Sequence, residues 1–136
     1  MFLHVLDEAE QRLFAQVALR IVHADNNLDP REVALLEALQ LEMGLEEMPT
    51  AAAHGEDELS DLEEIESRTV ARVFAFELAG VVIADGNVHE EQRAILIEVT
   101  GRLGINAEET ERFLDFALRA HSYWEEAREL VSETSD

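Results

Sequence analysis

Val22-His23-Ala24-Asp25-Asn26-Asn27-Leu28-Asp29-Pro30-Arg31-Glu32 returns sixty residues later as Val82-Ile83-Ala84-Asp85-Gly86-Asn87-Val88-His89-Glu90-Glu91-Gln92. The match extends outward from the loop at the same offset. Arg12 aligns with Arg72, Phe14 with Phe74, Ala15 with Ala75, Ala34 with Ala94, Leu36 with Leu96 and Gly44 with Gly104. Ile21/Val81, Leu28/Val88, Leu35/Ile95 and Leu45/Ile105 are conservative pairs between them. No insertion breaks the register. A long self-match at a fixed offset points to an architecture built from two copies of one unit.

Each unit reads as two helices joined by a polar turn. Leu6, Leu13, Phe14, Val17, Ala18 and Ile21 recur at three- and four-residue steps, the period of one helix face. Asp29-Pro30-Arg31-Glu32 then opens a second helix, with Asp as N-cap, Pro at the first helical position and Glu at the third. Val33, Leu36, Leu39 and Met43 line its face, and Gly44 ends it. In the second copy the turn is Asp85-Gly86-Asn87, and a helix from about His89 to Leu103 ends at Gly104. Between the copies, Ser60 with Glu63 and Ser67 are both possible caps, so 58–84 is either one bent helix or a short one followed by a long one. Residues 70–84 carry only Arg72 and Glu77 as charges, the composition of a central, buried helix. Asn106, with Glu109 three residues on, opens a further helix whose inner face reads as Phe113, Phe116, Ala117 and Ala120. Strand signals are missing.

The expected fold is therefore all-α: a single-domain bundle of about five to seven helices over 1–136. It consists of pseudo-symmetric αα-hairpin repeats at about 5–45 and 65–105, an acidic connector at 45–58, a C-terminal helix at 107–121 and an acidic tail.

Thirty-one acidic residues stand against ten basic ones, a formal charge of −21. No basic footprint exists to displace phosphate counterions, which argues against nucleic acid as a partner. Anionic membranes repel such a chain, and no apolar run reaches the roughly 18 residues of a bilayer span. Cations and basic protein surfaces are the partners this charge suits. The absence of cysteine excludes thiolate zinc sites and disulfides and fits a reducing compartment. With an N-terminus that turns acidic at once, the expected location is cytoplasmic.

The turns hold the candidate site. Asn26, Gly86, Asp29, Glu32 and Gln92 are all explicable as capping residues. Asp25 and Asp85 fit that account less well, because each ends a helix where the macrodipole disfavours a carboxylate by roughly 0.3–1 kcal/mol. A local turn, an arginine or a bound cation offsets that cost. Asp25-x-Asn27-x-Asp29 has the oxygen donors of a Ca²⁺ or Mg²⁺ site, and Asp85-x-Asn87-x-His89 is softer and suits a transition metal. It is no EF-hand, since Pro30 and Leu36 stand where that loop needs Gly and Glu. Glu77 lies in an apolar face, where a carboxylate needs a partner, with Arg72 or Arg12 the expected one. No nucleophile–base pair, Glu-x-x-His, zinc-protease helix, phosphate loop or nucleophile elbow is present, so an enzyme is not expected.

Ala84-Asp85-Gly86-Asn87-Val88-His89, and Ala24-Asp25-Asn26-Asn27-Leu28-Asp29-Pro30-Arg31-Glu32 with Asn26 in place of glycine, resemble the turn motif of the TerB-like tellurite-resistance family. The resemblance covers roughly residues 5–120. It implies an internally duplicated helical bundle, a divalent-metal site built from the turn acids Asp25, Asp29, Glu32 and Asp85, and a non-enzymatic part in stress response or in larger assemblies. Gln92 departs from the family pattern, which has Glu there, and this puts a symmetric second site in question.

Overall fold

The computed structural model describes residues 1–25, 29–47 and 57–133, without the side chains of Asp25, Asp57, Glu58 and Glu133. Six α-helices and no strand occur among them. They are α1 (Glu8–Val22), α2 (Pro30–Met43), α3 (Asp57–Leu62), α4 (Arg68–Val82), α5 (Glu90–Arg102) and α6 (Ala107–Glu133). Short 3-10 turns precede and follow α1, at Leu3–Val5 and His23–Asp25. Most of the acidic connector lies outside the described residues.

Capping chemistry sets four helix starts and the end of α2. Asp7 and Glu10 close a reciprocal capping box on α1, and Asp29 and Glu32 do the same on α2, with Pro30 in the first helical turn. Gly44 ends α2 in the left-handed region. Ser67 caps α4 through its hydroxyl, 3.2 Å from the Val70 N–H, so the stretch after the connector is a short helix and then a long one. Asn106 accepts the Glu109 N–H at 2.8 Å, but the Glu109 carboxylate reaches across to Arg72 instead of returning to the cap.

The core forms where α1 and α4 meet. Phe14, Val17, Ile21, Phe74 and Leu78 are fully buried, and Ala15, Ala18, Ala71, Ala75 and Ala79 let the helices approach closely. The Phe14 and Phe74 rings meet edge to face, with centroids 5.5 Å apart. α4 also touches α5, α6 and the first 3-10 turn, as expected of a helix apolar on nearly every side. α2 is more peripheral: Leu39 and Met43 are buried, whereas Val33 and Leu36 are only partly covered.

One helix departs from the sequence reading in two respects. α6 does not stop near residue 121 but runs on to Glu133. The Arg128–Glu125 ion pair, three residues apart, supports its acidic far half as helix. Its inner face is also only partly the expected one. Thr110 and Leu114 are buried, Phe113 and Ala117 are partly buried against the core as expected, and Phe116 remains 47% exposed. The Thr110 hydroxyl meets that of Thr100 at 2.6 Å, tying the start of α6 to the end of α5.

Glu77 is buried, but its partner is neither arginine. Its carboxylate accepts the Phe2 N–H at 2.7 Å and lies 3.0 Å from the Met1 amino group. Arg72 lies five residues earlier, on the order of 140° around the helix, and so faces α6 instead. Arg12 pairs along its own helix with Glu8. A carboxylate inside the bundle thus holds the 3-10 turn that seats Leu3 in the core.

Truncating Phe74 to Ala should cost about 3–5 kcal/mol in denaturant melts. In a double-mutant cycle with Phe14→Ala, the two changes should couple by about 0.5–1.5 kcal/mol, the value of an edge-to-face aromatic pair.

Candidate functional site at the helix turns

The second turn is described in full. Gly86 adopts φ +88°, the left-handed conformation that lets the chain leave α4 and turn back. Asp85 organises the loop on its C-terminal side. One carboxylate oxygen accepts the Asn87 N–H at 3.0 Å, and the other lies 2.8 Å from His89 Nε2. Its backbone carbonyl accepts from the Arg31 guanidinium at 3.2 Å. Burial pushes the Asp85 carboxyl up, but the His89 hydrogen bond, the Asn87 N–H and the charges of His89 and Arg31 outweigh it, holding the group below the usual carboxylate range. The unfavourable place of a carboxylate at a helix C-terminus is thus offset within the chain.

In the first turn, Asp29 accepts the Arg31 N–H at 2.7 Å, and Glu32 accepts the Asp29 N–H at 3.1 Å. Asn26, Asn27 and Leu28 lie outside the described residues, as does the side chain of Asp25. Glu32 is 4% exposed, and its second oxygen accepts from the Gln92 amide at 2.9 Å. Gln92 is fully buried, and its own Oε1 has no hydrogen-bond partner among the described residues. Leaving such an acceptor unpaired costs about 1–3 kcal/mol.

The structure therefore brings Asp29, Glu32, Asp85 and His89 to one end of the bundle, with Arg31 reaching between the two turns. Asn87 is exposed there and contributes its backbone N–H. Among the described residues, no three His, Asp or Glu side chains converge as metal ligands. Three further groups belong to this end. Gln92 reads as a cap in the sequence, yet its partner is Glu32, which occupies the same position in the other copy. Arg31 gave no signal beyond its place beside Pro30. His121 of α6 packs on Gly86, where a Cβ built on the glycine would lie 3.0 Å from its ring. Alongside runs a cleft of about 300 Å³ between α4, α6 and the start of α2, with Phe76, Glu77, Phe116 and Trp124 among its walls. No helix among the described residues is long and apolar enough to cross a membrane.

Compared with protein-family models, curated proteins and solved structures, the chain matches none. The TerB-like resemblance thus rests on the turn motif alone.

Gly86→Ala should destabilise the fold by about 1–2 kcal/mol from the left-handed backbone alone, and more from the contact with His121. Adding His121→Ala should recover the steric part but not the backbone part. The Asp85 carboxyl titrates below its ordinary 3.8 when folded, so its contribution to stability is present above that value and is lost as pH falls through the folded one. Asp85→Asn should therefore lower stability at neutral pH and flatten the acid limb of a stability–pH curve below about pH 5.

Proposed function

We propose that this chain is a non-catalytic binding module, that its two hairpins are copies facing each other across an approximate twofold axis, and that the first turn holds one divalent cation. The axis is supported by two contacts between residues sixty apart: Phe14 with Phe74, and Glu32 with Gln92. Matched residues of two copies touch each other only near an axis that relates them. Gly44 and Gly104, also matched, take similar left-handed angles, φ +72° and +81°.

The Asp85–His89 pair carries the cation reading. His89 supplies a local donor to the carboxylate that ends the first helix of its hairpin. The matching positions in the first copy are Asp25 and Asp29, two carboxylates with no histidine. Like charges at that spacing favour a positive group: the Arg31 guanidinium, 3.7 Å from the Asp29 carboxylate, supplies part of it, and a cation would supply the rest. Glu32 adds a buried carboxylate whose described partners are neutral N–H donors. The unpaired Oε1 of Gln92 beside it is a further oxygen donor. All four ligands would be hard oxygens, which suits Mg²⁺, Ca²⁺ or Mn²⁺ and not a tetrahedral zinc ion. Because Asp85 and His89 satisfy each other, the proposal is for one site and not two. The turn motif's likeness to the TerB-like family points the same way.

Calorimetric titration with Mg²⁺, Ca²⁺ and Mn²⁺ tests this. Wild type should bind one equivalent, Glu32→Gln or Asp25→Asn should weaken binding at least tenfold, and Asp85→Asn should bind as wild type does. Gln92→Glu, which adds a second carboxylate beside Glu32, should bind more tightly. No heat from wild type, or Glu32→Gln binding unchanged, overturns the proposal.

A second reading is favoured by the charge of −21: a metal-free acidic scaffold that docks a basic partner. It requires a lysine-rich peptide to bind with an affinity that falls steeply with salt and ignores a chelator. Binding that is indifferent to salt removes this reading.

A further inference from the structure

The far half of α6 has side chains of a core and no core to enter. At about 40 Å the helix is the longest in the chain. Tyr123 is 67% exposed, Trp124 60%, Leu130 59% and Val131 71%. With Phe116 they leave on the order of 600 Å² of largely apolar surface, the upper end of what a monomer shows.

The spacing on this face is regular. Phe113, Ala120 and Ala127 fall seven residues apart, and so do Phe116, Tyr123 and Leu130, three residues further on; Phe113, at the near edge of this face, is already partly buried against the protein's own core. These are the two inward positions of a heptad repeat over three turns of the pattern. The positions just before the first set read Arg112, Arg119, Glu126, Glu133, two basic residues followed by two acidic ones. That order is self-complementary in one orientation only. In an antiparallel pair, Arg119 of one copy lies alongside Glu126 of the other, twice over. In a parallel pair, the same residues would flank Ala117, Trp124 and Val131, which offer no opposite charge.

Side-chain sizes agree with the charges. Antiparallel pairing sets Phe116 against Ala127, Tyr123 against Ala120 and Phe113 against Leu130 of the second copy, so that small residues oppose large ones in two of the three layers. The far half of one α6 then covers the near half of the other, beside a cleft of about 580 Å³ that Phe76 and Phe116 help to line. Two such faces bury about 1,200 Å², the lower edge of stable, specific interfaces.

We infer that the exposed face of α6 pairs with the same face of a second copy of this chain, antiparallel, with Arg119 and Glu126 fixing the register. This inference is independent of the cation site. Sedimentation equilibrium of the full chain should give masses rising from 15.3 kDa toward twice that value as concentration increases. Leu130→Glu lies on exposed helix and should leave the thermal melt of the monomer intact while weakening association at least tenfold. Arg119→Glu should weaken it similarly, and adding Glu126→Arg should restore it. A chain that stays at 15.3 kDa at every concentration reached overturns the second copy as the occupant. Association that tolerates Leu130→Glu overturns the face. Failure of the double charge exchange to restore association overturns the register.

Discussion

Helices α1 and α4 cannot avoid one another. α4 carries buried residues on most of its circumference, and α1 buries one broad face from Leu13 to Val22 while its polar residues stay at least partly exposed. Apolar area on this scale, at roughly 25 cal/mol per Å² removed from water, outweighs any local preference at the turns. Alanines at the crossing bring the helices close, and Phe14 and Phe74 fill the space the alanines leave. The remaining helices are arranged by what this pair leaves uncovered. α5 and α6 close over α4, and α2 lies more loosely at the side. The turns end up at one end of the molecule because each continues directly from a member of the central pair.

Much of this was legible in the residues. Asp29-Pro30 and Gly44 announce the two ends of α2 through local chemistry alone, and structure agrees at both. The near-absence of charge over 70–84 identifies α4 as central because burial of unpaired charge is so costly. Less was legible where the deciding partner is remote. Glu77 signals burial, but its partner depends on where the first few residues fold back, which no periodicity reports. The far half of α6 reads as an acidic tail when charges are counted, and as a helix once oppositely charged residues are seen three and four positions apart. Its inner face takes in Phe113 and Ala117, as their spacing suggests, but also Thr110, because two hydroxyls, at Thr100 and Thr110, satisfy one another inside the bundle. A pattern of apolar residues does not register such a pair.

The candidate site was legible in part, for a reason inherent in its chemistry. Asp, Asn and Gly at a helix junction are what a cap requires and also what a hard cation requires. The sequence alone could not separate these uses. At the second turn the structure assigns the Asp85 carboxylate to Asn87 and His89. At the sixty-residue offset, His89 stands against Asp29 and Gln92 against Glu32, so the two turns carry different side chains at matched positions.

His121 sits on α6 and rests on Gly86. The long helix and the second turn consequently share a bearing surface. A rigid rod cannot tilt at one end without sweeping the other, so any load on the protruding end of α6 must either lift the imidazole from the glycine or drag the loop along with it. The absent side chain at position 86 is what makes the joint so close-fitting, and it places a loop at the head of the bundle in mechanical contact with a surface several helical turns away.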